Sequence, residues 1–332
     1  MCIRDRGYRF DEDEVGPGSV GGLQASVTDA EAVLQPLWDR LGGSCGADEC
    51  TPSALAIRLD LRFDTDANHF APTRLRNRSG SFLRADLDGA TCVEIGSGAA
   101  NPYALLVLVA LCGAHRVVGI EPVPVQDEAV AAVGAARAVA MALSAPRLVL
   151  GDLPVDRRLL LDRAERFDVE ALWSGRISGL EGSPVELHQG TVYDTGLETA
   201  SVDYLFSNSV LEHLVRPDDG AAEVARIVKP GGTTKHFIDG VDHNTYVDPE
   251  ADGLGFLALD AAHTMVNGSN RLRPLSLRDL FVEHGFQQVA LEVEQAIPMD
   301  TATQDGLAEP WRSLPDEYLT VRRAFLELRR AH

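Results

Sequence analysis

Two glycines in the segment from Val93 to Pro102 can bring a ligand close to the backbone. The segment reads VEIGSGAANP and places Gly96 and Gly98 between a short apolar run and a predicted helix. Because glycine has no Cβ, a ligand can approach such a turn closely, and the N-terminus of the following helix points at it. Glu94 lies just before the turn, where a carboxylate would repel a pyrophosphate and attract a cation. A dinucleotide fingerprint would have its third glycine at Asn101, which argues against NAD.

A second acidic residue, Glu121, ends the next apolar run and lies 23 residues after Gly98. A carboxylate at the end of the second strand of an α/β sheet can accept two hydrogen bonds from ribose hydroxyls. The alternative is a solvated carboxylate at a strand end. The spacing favours the ribose role.

Histidines and aspartates crowd the segment from His236 to His243, which reads HFIDGVDH. Two His and two Asp in eight residues can bind a metal, but strand alternation cannot place all four side chains together. Hydrogen bonding that fixes a substrate loop is therefore favoured, and no metal is predicted. The candidate general bases are His213, His236, Asp239 and His243.

From residue 86 onward the chain alternates between strand and helix patterns. Strands are predicted at 91–95, 117–120, 185–188, 202–206, 233–238, 288–293 and 323–328, and helices at 103–113, 127–143, 153–169 and 221–228. Strands separated by connectors of helix length predict a mostly parallel sheet with helices on both faces. The 64 positions from Glu121 to Val185 exceed the length of about 30 for a crossover unit, so a helical insertion is predicted at about 127–180.

The first 85 residues are predicted to be a partly flexible N-terminal extension with no part in cofactor binding. A charge run and a glycine-rich run come first, followed by a predicted helix at 29–41 and a strand at 55–63. Cys45 and Cys50 lie in a glycine-rich loop with no further ligands nearby, and two free thiols are expected there.

Composition limits the partners of this 332-residue chain. It carries 50 acidic and 30 basic residues, a formal net charge of −20 that repels nucleic acid and anionic lipid. The longest apolar run, 104–112, falls short of the ~20 residues of a membrane span, and no secretory leader is predicted. Five cysteines, an odd number, favour a reduced, cytoplasmic location.

Three further motifs follow the glycine turn in order. They are GTVYDTGLETASVD at 190–203, DYLFSNSVLEHL at 203–214 and ARIVKPGG at 225–232. With these motifs, residues 86–332 resemble a class I S-adenosylmethionine-dependent methyltransferase of the broad type-11 group. The resemblance implies a Rossmann-like fold with a seven-stranded, mostly parallel sheet, and S-adenosylmethionine as cofactor.

The resemblance also implies roles for individual residues. Those expected around the cofactor are Glu94, Gly96, Ser97 and Gly98 at its methionine part, Glu121 at the ribose, Thr191 and Val192 beside the adenine, and Ser207 and Asn208 where the fourth strand reaches cofactor and acceptor. The family often has Asp-Ala beside the adenine, so an acid is missing there. His213 belongs to the family's common Glu-His-Leu. It is either a general base or a structural residue that holds a helix in place.

The HFIDGVDH segment resembles the H-x-I-D-x-x-D-H of methyltransferases that accompany polysaccharide or secondary-metabolite biosynthesis. Asp242, Arg271 and Arg273 are the candidate substrate contacts, and the two arginines can clamp an acidic acceptor. The predicted function is O-methylation of a sugar or small metabolite. The alternatives are an NAD-dependent or nucleotide-sugar oxidoreductase and a methyltransferase-like partner subunit that has lost the cofactor.

Overall fold

The computed structural model of the protein describes residues 80–332 except 145, 151, 152, 155, 249 and 252. The predicted helix at 29–41, the predicted strand at 55–63 and the two cysteines between them lie outside the described residues. The chain divides into two compact units. Among the described residues, one comprises 80–88, 99–114 and 125–185, and the other 89–98, 115–124 and 186–332.

One seven-stranded sheet organises the second unit. Its strands are β1 (Thr91–Ile95), β2 (Arg116–Glu121), β3 (Val185–Gln189), β4 (Val202–Asn208), β5 (Val228–Asp239), β6 (Phe286–Ala296) and β7 (Val321–Arg330). They lie in the order β3-β2-β1-β4-β5-β7-β6. β1 pairs parallel with β2 and β4, β4 pairs parallel with β5, and β7 runs antiparallel to both β5 and β6. The predicted mostly parallel sheet is confirmed.

The α-helices of the described residues are, in chain order, α1 (Gly80–Phe82), α2 (Ala104–Leu111), α3 (Glu128–Ser144), α4 (Pro146–Leu150), α5 (Arg157–Ala164), α6 (Val169–Trp173), α7 (Pro217–Ile227), α8 (Pro274–Glu283), α9 (Thr301–Asp305) and α10 (Asp316–Thr320). None of them is long and apolar enough to cross a membrane.

The central strands end level with one another. Ile95 of β1 is in register with Ile120 of β2 and with Ser207 of β4, and Ser207 is in register with His236 of β5. Because parallel strands present their carboxyl ends at one edge of a sheet, the residues just after this row share that edge. The glycine turn, Glu121 and the segments after β4 and β5 all follow the row.

A continuous apolar core covers one part of the sheet in this unit. Val93, Val118 and Leu205 contribute from the strands, and α7 and α8 add apolar side chains that include Val224 and Phe281. β1, β2 and β4 are buried at nearly every position, as is usual for parallel strands at the centre of a sheet. Burial of this kind stabilises the strand ends that carry the polar residues.

The other unit is helical over most of its described length. α2 is buried at every position, and Arg163 holds its C-terminus by donating from Nη1 to the carbonyl of Leu111 at 3.0 Å. Helices α3 to α6 occupy the region where a helical insertion is predicted. The predicted helix at 153–169 is shorter and is observed as α5, and a second helix, α6, begins where the prediction ends. Asp156 and Asp168 each accept hydrogen bonds from the amides that follow and so begin these two helices.

Helix α8 was not predicted from the sequence, and α7 begins four residues earlier than predicted. Both start with proline at the first helical position, Pro274 and Pro217. Proline is favoured there because its missing N–H has no helical partner at that position. In α7, two aspartates in the first turn further favour the helix N-terminus.

Candidate functional site

The glycine turn is held against the end of β2. Gly96 donates its amide to the carbonyl of Ile120 at 2.8 Å, and its φ of +74° is in the left-handed region. A Cβ at Gly96 would lie 2.5 Å from Cγ2 of Val210. Both the conformation and the close approach of Val210 therefore require glycine at this position.

The side chain of Glu121 also holds the glycine turn in place through hydrogen bonds. Its Oε2 accepts a hydrogen bond from the amide of Gly98 at 2.7 Å, and its Oε1 accepts one from the amide of Val123 at 3.1 Å. The side chain is buried. Glu121 is therefore a buried carboxylate built into the turn rather than a solvated residue at a strand end.

Three buried polar atoms near this turn have no hydrogen-bond partner among the residues that the structure describes. They are Oε2 of Glu94, Oγ of Ser97 and Oδ1 of Asn208. A buried polar atom without a partner is costly, so their presence at one sheet edge suits a polar ligand. Burial, and secondarily the charge of Glu121, raises the pKa of Glu94 to about 8. A cation beside this carboxylate would restore its charged form.

Thr191 and Val192 follow β3 and differ from each other in exposure. Thr191 is half-buried, and its hydroxyl accepts the amide of Tyr193 at 3.3 Å. Val192 is buried in the core. Thr191 can still offer a hydroxyl at this position, whereas the nearby acid, Asp194, is exposed.

Ser207 and His236 form a pair inside the sheet unit. Both are completely buried, and Oγ of Ser207 lies 2.7 Å from Nδ1 of His236. The His236 ring packs on Phe281 of α8, and burial lowers its pKa to about 3. Contrary to the expectation that it lies with the other candidate bases, His236 is a neutral core residue, because strand alternation turns it toward α8.

Asp239 lies at the end of β5 in a network of charged and phenolic groups. It accepts a hydrogen bond from Nε of Arg323 at 3.0 Å and another from the hydroxyl of Tyr246. Arg323 also donates to Tyr246 at 3.1 Å. Burial, followed by the charge of Asp239, raises the pKa of the Tyr246 hydroxyl. This network is held by one residue from each of β5, β7 and the turn after β5.

His213 and His243 are brought together although 30 positions separate them in the sequence. Each lies in a short 3-10 helix, Leu211–His213 after β4 and His243–Tyr246 after β5. Their ring centroids are 4.9 Å apart. Glu212 joins them: one ligating atom from each of the three side chains lies within 4.8 Å of the others. Sequence reasoning missed Glu212, although the Glu-His-Leu motif contains it.

A tight turn braces the two histidine-bearing segments. Nδ1 of His213 lies 2.7 Å from the carbonyl of Gly268, and Nδ2 of Asn267 donates to Oδ1 of Asp242 at 2.7 Å. Asp242 also accepts the amide of Asn244 at 2.9 Å and so caps the 3-10 helix of His243. A carbonyl can only accept, so Nδ1 of His213 carries a proton, and the ring nitrogen that can bind a ligand is Nε2.

Arg271 and Arg273 are completely buried and face the backbone. Arg271 donates to the carbonyls of Leu259, Asp260 and His263, and its guanidinium stacks 3.8 Å from the ring centre of Trp311. Arg273 donates to the carbonyls of Gly240 and Val321. Burial, and secondarily Arg322, lowers the pKa of Arg273 to about 9. These contacts favour a structural role over the clamp expected from the sequence.

Replacing Arg273 with alanine is expected to lower the free energy of unfolding by about 3 kcal/mol, because two buried carbonyls lose their donor and a cavity remains. Urea denaturation of the full chain measures the change. Arg312→Ala is the matched control: this arginine pairs with Glu309 at the surface, so its loss should cost less than about 1 kcal/mol. A stable Arg273→Ala protein with weakened acceptor binding would instead support the clamp.

Comparison with known proteins gives a match to a family model over part of the chain. A family model described as "Methyltransferase domain" matches residues 160–234. A search of curated proteins finds no match.

The chain is also similar to several solved structures. A putative S-adenosylmethionine-dependent methyltransferase from Listeria monocytogenes is 12% identical over 78% of this chain and 99% of that one, with a TM-score of 0.41. Geranyl diphosphate C-methyltransferase from Streptomyces coelicolor A3(2) is 14% identical over 78% and 80%, also at 0.41. The [4+2]-cyclase SpnF is 17% identical over 94% and 95%, at 0.42.

The strand order with an antiparallel β7 and the glycine turn are those of the Rossmann-like class I methyltransferase fold, and the residues matched by the family model lie within it. The buried carboxylate and hydroxyl of Glu94 and Ser97, which have no hydrogen-bond partner among the described residues, suit the ammonium and carboxylate groups of S-adenosylmethionine.

Binding of S-adenosylhomocysteine is expected to release a proton from Glu94. Because the pKa of this carboxyl is raised from 4.5 to about 8, it is protonated in the free protein at neutral pH. The ammonium of the ligand favours the charged form. Affinity should therefore rise from about pH 6 to pH 8, by at most ~10-fold per pH unit. Without ligand, the same shift makes folding less favourable as the pH rises from 4.5 toward 8, since the unfolded chain ionises first.

Calorimetry in two buffers of different protonation enthalpy measures this release directly. Glu94→Gln keeps the shape of the side chain and should bind with no proton release in either buffer. A wild-type affinity that stays flat between pH 6 and pH 8 would show that Glu94 does not meet the ammonium.

Proposed function

We propose that the protein is an S-adenosylmethionine-dependent methyltransferase that transfers a methyl group to a hydroxyl of a sugar or small metabolite. The observation that carries the proposal is the pair His213 and His243, gathered at the sheet edge to which the glycine turn and Glu121 also belong. Ligands of open α/β sheets bind at this edge. In this arrangement the cofactor lies beside β1 and β2, and the acceptor beside β4 and β5.

The chemistry at the acceptor explains why histidines suit this place. The bound cofactor supplies an activated methyl group, so the protein mainly has to position the acceptor. A hydroxyl also has to lose its proton, and this step benefits from a nearby base or cation. A neutral imidazole can accept the proton itself or hold a cation that lowers the pKa of the hydroxyl.

Both histidines suit a role that uses the neutral ring. Burial lowers the pKa of His243. His213 presents Nε2, since its Nδ1 is bonded to Gly268. The neighbouring side chains of Asp239, Tyr246 and Arg323 add further acceptors and donors of the kind that bind sugar hydroxyls.

The acceptor class follows from the charges near the pair. Three carboxylates, those of Glu212, Asp239 and Asp242, lie on the segments around it, against one guanidinium, that of Arg323. Arg271 and Arg273 are engaged with backbone carbonyls. A neutral polyhydroxyl compound therefore suits the site better than an acidic one.

The proposal is tested by incubating the full chain with methyl-labelled S-adenosylmethionine and a panel of sugars, nucleotide sugars and phenols. Label should appear in at least one hydroxyl compound, and NMR of the product should show an O-methyl group. Transfer only to nitrogen, carbon or sulfur acceptors would overturn the proposal and leave the methyltransferase assignment intact.

A further inference from the structure

We propose that Glu212, His213 and His243 bind a divalent transition-metal ion. One carboxylate oxygen and two imidazole nitrogens lie within 4.8 Å of one another. In a bound state, ligand atoms at 2.0–2.2 Å from a metal stand about 3.3 Å apart. Small side-chain rotations therefore convert the observed cluster into a coordination site.

The three ligands lie in short helices that follow two neighbouring strands, so their positions do not depend on the alternation of side chains along a strand. Glu212 and His213 are adjacent in the 3-10 helix after β4, and His243 begins the 3-10 helix after β5. Because β4 and β5 are adjacent and parallel, both helices start at the same edge of the sheet. The ligand set draws on two strands, whereas the four-residue set considered within 236–243 draws on one strand and its loop.

The surroundings of the ligands resemble those of a prepared metal site. A ligating histidine commonly donates its second ring nitrogen to a carbonyl, which fixes the ring and leaves the other nitrogen for the metal. His213 makes this contact with Gly268 at 2.7 Å. Glu212 is fully buried, and its Oε1 accepts the amide of Asp239 at 3.2 Å, which fixes the carboxylate.

The donor set indicates the kind of ion. Two imidazoles and one carboxylate are the donors of many zinc sites and of the non-haem iron triad. They suit Zn²⁺, Co²⁺, Mn²⁺ or Fe²⁺ better than Ca²⁺ or Mg²⁺, which prefer oxygen ligands alone. The carboxylates of Asp239 and Asp242 nearby add to the attraction for a cation. The neighbouring cation Arg323 is bound to Asp239.

A metal ion at this site would also activate the acceptor. This consequence rests on the proposed function. Three protein ligands leave positions for water or an acceptor oxygen. A hydroxyl bound there would have a lowered pKa and a fixed orientation. The metal site itself does not depend on the acceptor.

The experiment is a titration of the full chain with Co²⁺ after treatment with a chelator, followed by visible absorption and calorimetry. We expect a site with nitrogen and oxygen ligands and micromolar or tighter affinity. His243→Ala and His213→Ala should each weaken Co²⁺ binding ~100-fold or more. His263→Ala, which alters an exposed histidine outside the cluster, should leave it unchanged.

Folding and cofactor binding are checked in the same samples. Because Glu212 is buried, Glu212→Gln can fail to fold, so the two histidine variants carry the decision, and each must retain its affinity for S-adenosylhomocysteine. Absence of Co²⁺ and Zn²⁺ binding up to millimolar concentration would overturn the site. So would binding that both histidine variants retain.

The metal proposal and the proposed function can fail separately. If chelated protein with no bound metal methylates a hydroxyl at the full rate, O-methylation stands and the metal has no part in it. If Co²⁺ binds through both histidines while no hydroxyl compound is methylated, the metal site stands and the acceptor class is wrong.

Discussion

His243→Ala is expected to lower methyl transfer by about 100-fold or more while the affinity for S-adenosylhomocysteine stays within about threefold. The reason is the division of the sheet edge between two ligands. Gly96, Gly98 and Glu121 follow β1 and β2, whereas His243 follows β5. Removing the His243 imidazole, which accepts a proton or binds a metal on the acceptor side, should leave the cofactor contacts intact. Transfer of labelled methyl to a responsive hydroxyl acceptor and calorimetry with S-adenosylhomocysteine measure the two quantities.

His263→Ala and His236→Asn serve as controls for this result. His263 is exposed and lies outside the cluster, so its loss should change neither quantity. His236 is buried against Phe281 and Ser207, so its replacement should act mainly on stability. Full activity of the His243→Ala protein, or a collapse of cofactor affinity along with turnover, would refute the acceptor-side role.

Glu121→Ala is expected to weaken S-adenosylhomocysteine binding by ~30-fold or more. Two hydrogen bonds from ribose hydroxyls to a carboxylate contribute on the order of 2–4 kcal/mol. The structure adds a second reason: the same carboxylate holds the amides of Gly98 and Val123. Its removal loosens the turn as well as the ribose contacts. Calorimetric titration of the full chain measures the change.

The matched control is Glu198→Ala, which removes an exposed carboxylate from the same acidic surface. Its dissociation constant should equal that of the wild type, because long-range charge effects are screened at ordinary ionic strength. Glu121→Gln retains one acceptor oxygen and should fall between the two. An unchanged dissociation constant for Glu121→Ala would remove the ribose assignment.

The sheet was largely predictable because its signals are local. Apolar runs that end at Gly96 and Glu121 mark buried parallel strands, and each predicted strand from 91 to 328 corresponds to an observed one. Helix α8 was missed although Pro274 marks its start. The Asn-Gly pair at 267–268 was passed over too, although it is the usual signal of a tight turn with positive φ at both residues.

The contacts of the candidate site were less predictable, because they depend on which side of a strand or turn each residue faces. His236 and His243 are equally plausible bases in a sequence, yet one lies in the core and the other at the sheet edge. Glu212 becomes interesting only when β4 and β5 are known to be neighbours. Arg271 and Arg273 resemble surface charges until their carbonyl partners are seen.

The turn from Val266 to Ser269 contacts both segments that form the acceptor side. Its two central residues have φ of 50° and 79°, and they hold His213 through Gly268 and Asp242 through Asn267. The turn therefore links the two segments after β4 and β5 to each other. Diversification of acceptor preference in such an enzyme should spare this turn and instead change outward-facing residues such as Tyr246 and Val247, which are 40% and 67% exposed.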